Sequence, residues 1–110
     1  MGPYTVGNIV IVPFPYADFS KSKKRPALVV GHAEFNNLIL CQITSKADTS
    51  KIALSINDSS FALGTLSLES FIRYDKLFTI DPSVLDGTVG TLKKDVIKLV
   101  QLKIREIFQW

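Results

Sequence analysis

The run Arg25-Pro26-Ala27-Leu28-Val29-Val30 opens on a permanent cation and continues as apolar chain with no polar alternation. A run of that length and kind reads as a strand covered on both faces. Pro26 is tolerated at the first residue of a strand, where no ladder donor is lost. This reading plants a guanidinium at the mouth of a buried strand. Just before it come Lys21, Lys23 and Lys24, in a loop that also carries Tyr16 and Phe19. A rigid strand with a positive, aromatic loop at one end is an anion site in outline.

Upstream, Gly7 to Pro15 holds Ile9-Val10-Ile11-Val12 and reads as strand one, its central pairing ended by Pro13 and Pro15. The first strand leads through a polar loop, 16–24, into strand two at about 25–31. Glu34 to Asn37 is a turn, and Leu38 to Ser45 is strand three, apolar until Gln42. A second polar loop, Lys46 to Ser50, precedes an alternating strand at 51–56. Asn57 to Ser60 is a turn, strand pieces lie near 66–75 and 77–81, and Pro82 to Asp86 is a short helical turn. Gly87 to Thr91 is an edge strand or loop. Residues 92–108 read as the one helix, with Thr91 as N-cap and Asp95 where negative charge is favoured. Val96, Ile97, Val100, Ile104, Ile107 and Phe108 form its apolar stripe, opposite Lys94, Lys98, Gln101 and Arg105. Short strands with one terminal helix indicate an α+β or mainly β domain, a small barrel.

At 110 residues, 46% hydrophobic and 21% charged, residues 1–110 form a single globular domain. Net charge is +3 and the isoelectric point about 9.1. Residues 21–25 carry four of the thirteen cations and the last eighteen residues another five, a clustering that suits a polyanion. The single cysteine, Cys41, rules out a disulfide within the chain and a cysteine-based zinc site. The single histidine, His32, rules out a two-histidine acid–base pair within one chain. No apolar run reaches the length of a membrane span, and the N-terminus lacks a signal-peptide pattern, so a soluble cytoplasmic protein is expected. No glycine-rich phosphate loop occurs.

Three constellations carry candidate chemistry. Arg25 offers a fork of donors to a phosphate, Lys23 and Lys24 flank it, and Phe14, Tyr16 or Phe19 can stack a base. The competing reading is a solvated charged loop beside aromatics that cap the core. Gln42-Ile43-Thr44-Ser45 ends an apolar strand in polar side chains; these either hydrogen-bond a phosphate or base edge, or simply begin a turn. Arg73 and Asp75, two apart on an extended segment, share a face. They either act on a substrate or form a surface ion pair worth about 0–1 kcal/mol.

In order and rough spacing, four segments resemble the MazF/PemK family of toxin endoribonucleases: Gly7 to Pro15, Lys24 to Val30, Cys41 to Lys46, and Phe71 to Asp81. The resemblance covers nearly the whole chain. It implies a small SH3-like barrel, usually a homodimer. It also implies metal-free, cofactor-free cleavage of single-stranded RNA at short sites, by attack of a 2′-hydroxyl on the adjacent phosphate. A cognate antitoxin with an acidic, flexible tail is implied as partner, with operator DNA bound only through that antitoxin. Residue by residue, Arg25 falls on the family's catalytic arginine and Thr44 on its catalytic threonine. Ser45 falls beside Thr44 as an RNA contact, and Arg73 and Asp75 on an Arg-x-Asp pair that serves some relatives as acid and base. The family often places a carboxylate where this chain has Asn8. With one histidine, the proton and charge work must pass to other groups: Asp75 as base, Arg25 or Arg73 against developing charge, and Thr44 orienting the phosphate. Two other functions compete. One is a gyrase-poisoning toxin of the same fold, suggested by Trp110 but lacking that group's Trp-Gly-Ile ending. The other is a non-catalytic RNA-binding barrel.

Overall fold

The computed structural model describes residues 3–15, 22–45 and 53–109. Seven strands form one antiparallel sheet: β1 (Asn8–Pro15), β2 (Ser22–His32), β3 (Leu38–Thr44), β4 (Leu54–Ile56), β5 (Phe61–Gly64), β6 (Ser70–Ile80) and β7 (Thr88–Leu92). A helix, α1 (Lys94–Ile107), follows. Spatial order is β4-β6-β3-β2-β1-β7-β5. The two edges, β4 and β5, are consecutive in sequence and joined only by Asn57 to Ser60. In a flat sheet the six strand gaps would separate them by about 29 Å. Five Cα steps reach at most about 18 Å. The sheet therefore curls on itself, and the small barrel expected from the sequence is a curled seven-strand half-barrel with a C-terminal helix.

The central strand is the quoted run. Ala27, Leu28 and Val29 are fully buried. Alternation sends Leu28 to the helix side with Ile9, Cys41, Ile43, Ile72 and Val100. Ala27 and Val29 go to the other side with Val10, Val12 and Leu40. The strand begins earlier than the sequence reading, at Ser22, with Pro26 inside it opposite Ile11. Pairing with β3 starts only at Ala27, so the proline ring replaces no donor needed on that side.

Three further expectations are corrected. The pieces near 66–75 and 77–81 are one strand, β6, interrupted by a bulge. Gln42 faces Arg73 and Cys41 faces Leu77, leaving Tyr74, Asp75 and Lys76 unopposed. Strand β5 was absent from the sequence reading. The helix starts at Lys94, with Lys93 at the N-cap making no side-chain cap. Thr91 belongs instead to β7, where its hydroxyl accepts from Asn8 Nδ2 at 3.1 Å. At the other end Ile107 and Phe108, read as part of the apolar stripe, are 41% and 65% exposed.

Asn8 is nearly buried and used at both ends. Its Oδ1 accepts from the Thr5 amide at 2.8 Å while its Nδ2 reaches Thr91, tying the entry of β1 to β7. A carboxylate has no proton to offer Thr91, so the amide fits this place as a structural tie. The adjacent Gly7 has φ +100° and backs directly onto Ile97 of the helix. Both the positive φ and the missing Cβ are required there.

Candidate nucleic-acid interface

Strand alternation decides which polar side chains meet. Arg25 lies two residues before Ala27 on β2, and Thr44 two residues after Gln42 on β3. Ala27 and Gln42 are directly opposite. Continuing that register puts Arg25 beside Thr44. On the next strand Gln42 faces Arg73 and Thr44 faces Phe71. Arg25, Gln42, Thr44 and Arg73 thus share the sheet face that lies away from the helix, across three adjacent strands. Arg25 and Arg73 stand two strand spacings apart and two residues apart along the strands, roughly 12 Å. Both side chains are long enough to reach a ligand lying over Gln42.

Arg25, Thr44 and Ser45 line one cleft of about 190 Å³, walled on its far side by Leu66, Ser67 and Leu68. Arg25 is half-buried there. Its anchorage on β2, with Val12 opposite and Ala27 fully buried, fixes where the guanidinium sits. Ser45 follows the end of β3 and is exposed.

Arg73 and Asp75 do not line that cleft; they form a pair of their own. Nε and one terminal nitrogen of Arg73 donate to the two carboxylate oxygens of Asp75, each at 3.0 Å. The side chains are 15% and 22% exposed. This two-point geometry is the strongest kind of ion pair, and the bulge leaves Asp75 outside regular pairing while Arg73 stays opposite Gln42. The hydrogen bonds from Arg73 hold the Asp75 carboxyl below its ordinary value, partly opposed by burial. The same bonds raise the Arg73 guanidinium further. As it stands, Asp75 is a weakened base.

Lys24 is tied to Asp86 by a 2.6 Å ion pair, with both side chains half exposed or more. Phe14 and Lys23 face each other in register on β1 and β2; their side chains lie outside the described atoms. Tyr16, Phe19 and the loop Lys46 to Ser50 lie outside the described residues, as does Trp110. Cys41 is buried on the helix side; desolvation, with the negative Asp75 adding to it, pushes its thiol up to about 12, so it is inert.

The sequence reading missed the segment Leu66 to Ser70, which walls the cleft. Ser70 is almost fully buried, and its hydroxyl donates to the Leu68 carbonyl at 2.9 Å. Its signal in the sequence is faint: a serine opening a run that is otherwise Phe71-Ile72.

The described residues contain no helix long and apolar enough to cross a membrane. No curated protein matches the chain. Solved structures with the same fold include a MazF from Deinococcus radiodurans, at 21% identity over 94% of both chains and TM-score 0.70. A MazE–MazF complex from the same organism matches at 21% identity over 97% of this chain and 96% of the other, with TM-score 0.75. An endoribonuclease in complex with its cognate antitoxin, from a Mycobacterial species, matches at 12% identity over 97% and 98%, with TM-score 0.74. At these identities the likeness is one of fold. The model of PemK-like, MazF-like toxins matches residues 5–108, nearly the whole length. By that match, the chain belongs to the PemK-like, MazF-like toxin family of type II toxin–antitoxin systems.

Proposed function

We propose that this toxin is a metal-independent, sequence-specific endoribonuclease that cuts single-stranded RNA, mRNA included, and thereby inhibits growth. The observation that carries the reading is the cleft in which a strand-anchored arginine meets the Thr44 and Ser45 hydroxyls. An extended RNA strand laid there presents a phosphate to Arg25, with Thr44 and Ser45 donating to its non-bridging oxygens. The neighbouring 2′-oxygen attacks phosphorus as its proton leaves. The P–O5′ bond breaks, giving a 2′,3′-cyclic phosphate, and the departing 5′-oxygen takes a proton from solvent. Arg25 works electrostatically, since guanidinium does not give up its proton near neutral pH. Positioned donors against developing charge are worth about 10²–10³-fold in rate.

Asp75 takes the 2′-proton in this scheme, subject to one condition. Arg73 lowers its basicity, so proton transfer requires Arg73 to swing from the carboxylate to an RNA phosphate. Gln42 lies between the two arginines and contacts the intervening sugar or base. Lys24 reaches a flanking phosphate by exchanging Asp86 for it. Lys23, Phe14, Tyr16 and Phe19 are assigned to flanking phosphates and stacked bases from the sequence alone.

The partners follow from the family. The similar structures include complexes of a MazF with MazE and of an endoribonuclease with its cognate antitoxin. For this chain we assign a cognate antitoxin whose acidic tail competes with RNA for the Arg25 cleft, a homodimeric state, contact with operator DNA only through the antitoxin, and a cytoplasmic location. The test is incubation of the purified toxin with a long single-stranded RNA in EDTA, followed by end analysis, in parallel with a gyrase supercoiling assay. Discrete cuts with cyclic-phosphate and 5′-hydroxyl ends are expected. Intact RNA together with inhibited supercoiling overturns the reading in favour of a gyrase poison.

A further inference from the structure

A second, larger cleft of about 460 Å³ opens beside the Arg25 cleft. The two share Leu66, Ser67, Leu68 and Ser70 in their linings, so they lie side by side. The larger cleft's volume lies within the roughly 300–1,000 Å³ typical of small-molecule sites, and four apolar residues line it together with six polar ones. Buried Ile56 and Phe61 supply an apolar floor, Leu66 and Leu68 the wall, and the exposed Asp58 and Glu69 stand at the rim. The adjoining clefts are therefore polar in opposite senses: a guanidinium lines one, two carboxylates the other.

That asymmetry says what each cleft can hold. Carboxylates repel a phosphate, so the larger cleft cannot take the RNA backbone. An apolar floor accepts the face of a base splayed out of the strand. A carboxylate accepts hydrogen bonds only, so it selects a base edge rich in donors. Guanine offers two adjacent donors, N1–H and the N2 amine, to one carboxylate. Uracil places an acceptor on each side of its single N–H and meets repulsion. Adenine and cytosine offer one amine beside an acceptor. The loop is built to hold the rim in place: Thr65 donates to Asp58, Ser70 holds Leu68, and Ser55 donates to Glu69 at 3.5 Å.

We infer that the Ile56–Ser70 cleft is a base-reading subsite that receives a guanine flanking the scissile phosphate, with Glu69 accepting from its Watson–Crick edge. This rests on the ribonuclease reading and assigns it a sequence preference. The subsite also sets strand direction, because the phosphate can lie only in the Arg25 cleft.

The experiment has two stages. First, cut ends of a long RNA are sequenced for the wild type; guanosine is expected at one fixed position beside the cut. Second, an oligonucleotide with that site is compared with one carrying inosine there, which removes only the N2 amine, for the wild type and for Glu69→Gln. The wild type is expected to cut the guanosine substrate at least about five-fold faster than the inosine one. In Glu69→Gln that ratio falls toward one. Glu69 is exposed, so the variant keeps its fold, and melting confirms it. Cuts with no fixed guanosine, equal cutting of guanosine and inosine, or a ratio that survives in Glu69→Gln each overturn the subsite while leaving the nuclease standing. If the folded wild type cuts no RNA at all, the nuclease reading falls and takes this inference with it.

Discussion

The two faces of strands β2, β3 and β6 are made from alternate residues of the same chain, yet they end differently. Toward the helix, Leu28, Cys41, Ile43 and Ile72 form an unbroken apolar layer that α1 covers. On the other face Ala27, Val29, Leu38 and Leu40 are as deeply buried. There the layer gives way at one end to Arg25, Gln42, Thr44 and Arg73. A slip of β2 toward its C-terminal end would carry Arg25 toward the buried places of Ala27 and Leu28, so the register is held. The double-sided core is thus what holds the polar row still. Stability and chemistry are separated both by the strand's two-residue period and by position along it: the polar row occupies one end of one face.

That separation can be broken deliberately, and the largest effects come first. Leu28→Ala, on the covered face, removes a fully buried side chain and is expected to cost about 2–5 kcal/mol in denaturant unfolding, with any residual activity per folded molecule unchanged. Arg25→Ala, on the open end, is expected to lower RNA cleavage about 10²–10³-fold while the denaturation midpoint barely moves. If each substitution lowered stability and activity alike, the division between the faces would be lost. Gly7→Ala is expected to cost more than about 1 kcal/mol, because it forces a Cβ into positive φ and against Ile97.

Smaller effects sharpen the polar row. Asp75 has its carboxyl pKa lowered chiefly by the hydrogen bonds from Arg73. The folded state therefore binds its proton less readily than the unfolded state does. The pair contributes stability above the unfolded aspartate value of about 3.9, and loses it as pH falls through the lower folded value. Asp75→Asn is expected to flatten that part of the acid-unfolding curve. A curve identical to the wild type would remove Asp75 from acid stability. At the small end, Asp86→Ala is expected to change stability by no more than about 1 kcal/mol, since its ion pair with Lys24 is exposed, and to raise RNA affinity at low salt by freeing Lys24. Weaker RNA binding by that variant would contradict the assignment of Lys24.

The fold was legible where periodicity is strict. The continuous apolar run after Arg25 announced a strand covered on both faces, and the stripe from Val96 to Ile104 announced the helix. The sequence was silent where tertiary pairing overrides local pattern. Phe61-Ala62-Leu63-Gly64 is a short edge strand with an exposed Leu63, a segment without alternation to notice. The break between 75 and 77 looked like a strand end but is a bulge, because Cys41 and Gln42 skip three residues of their partner. Thr91 has the residue type of an N-cap but is spent on Asn8. Of the site, Arg25, Thr44 and Ser45 were placed by their position on strands. That Arg73 and Asp75 share a face was readable from their spacing; that each occupies the other's donors and acceptors was not. The wall at Leu66 to Ser70 was invisible, since it is the connection from the unread strand β5 into β6.

The central claim is that the strand-fixed guanidinium of Arg25 acts on the scissile phosphate. The most direct measurement is the single-turnover cleavage rate of one RNA oligonucleotide in EDTA by the wild type, Arg25→Lys and Arg25→Ala, each shown folded by its melting curve. The predicted result is cleavage by the wild type, partial activity in Arg25→Lys, where charge remains but the fork of donors is gone, and loss of at least about 10²-fold in Arg25→Ala. Equal rates for all three folded proteins would contradict it.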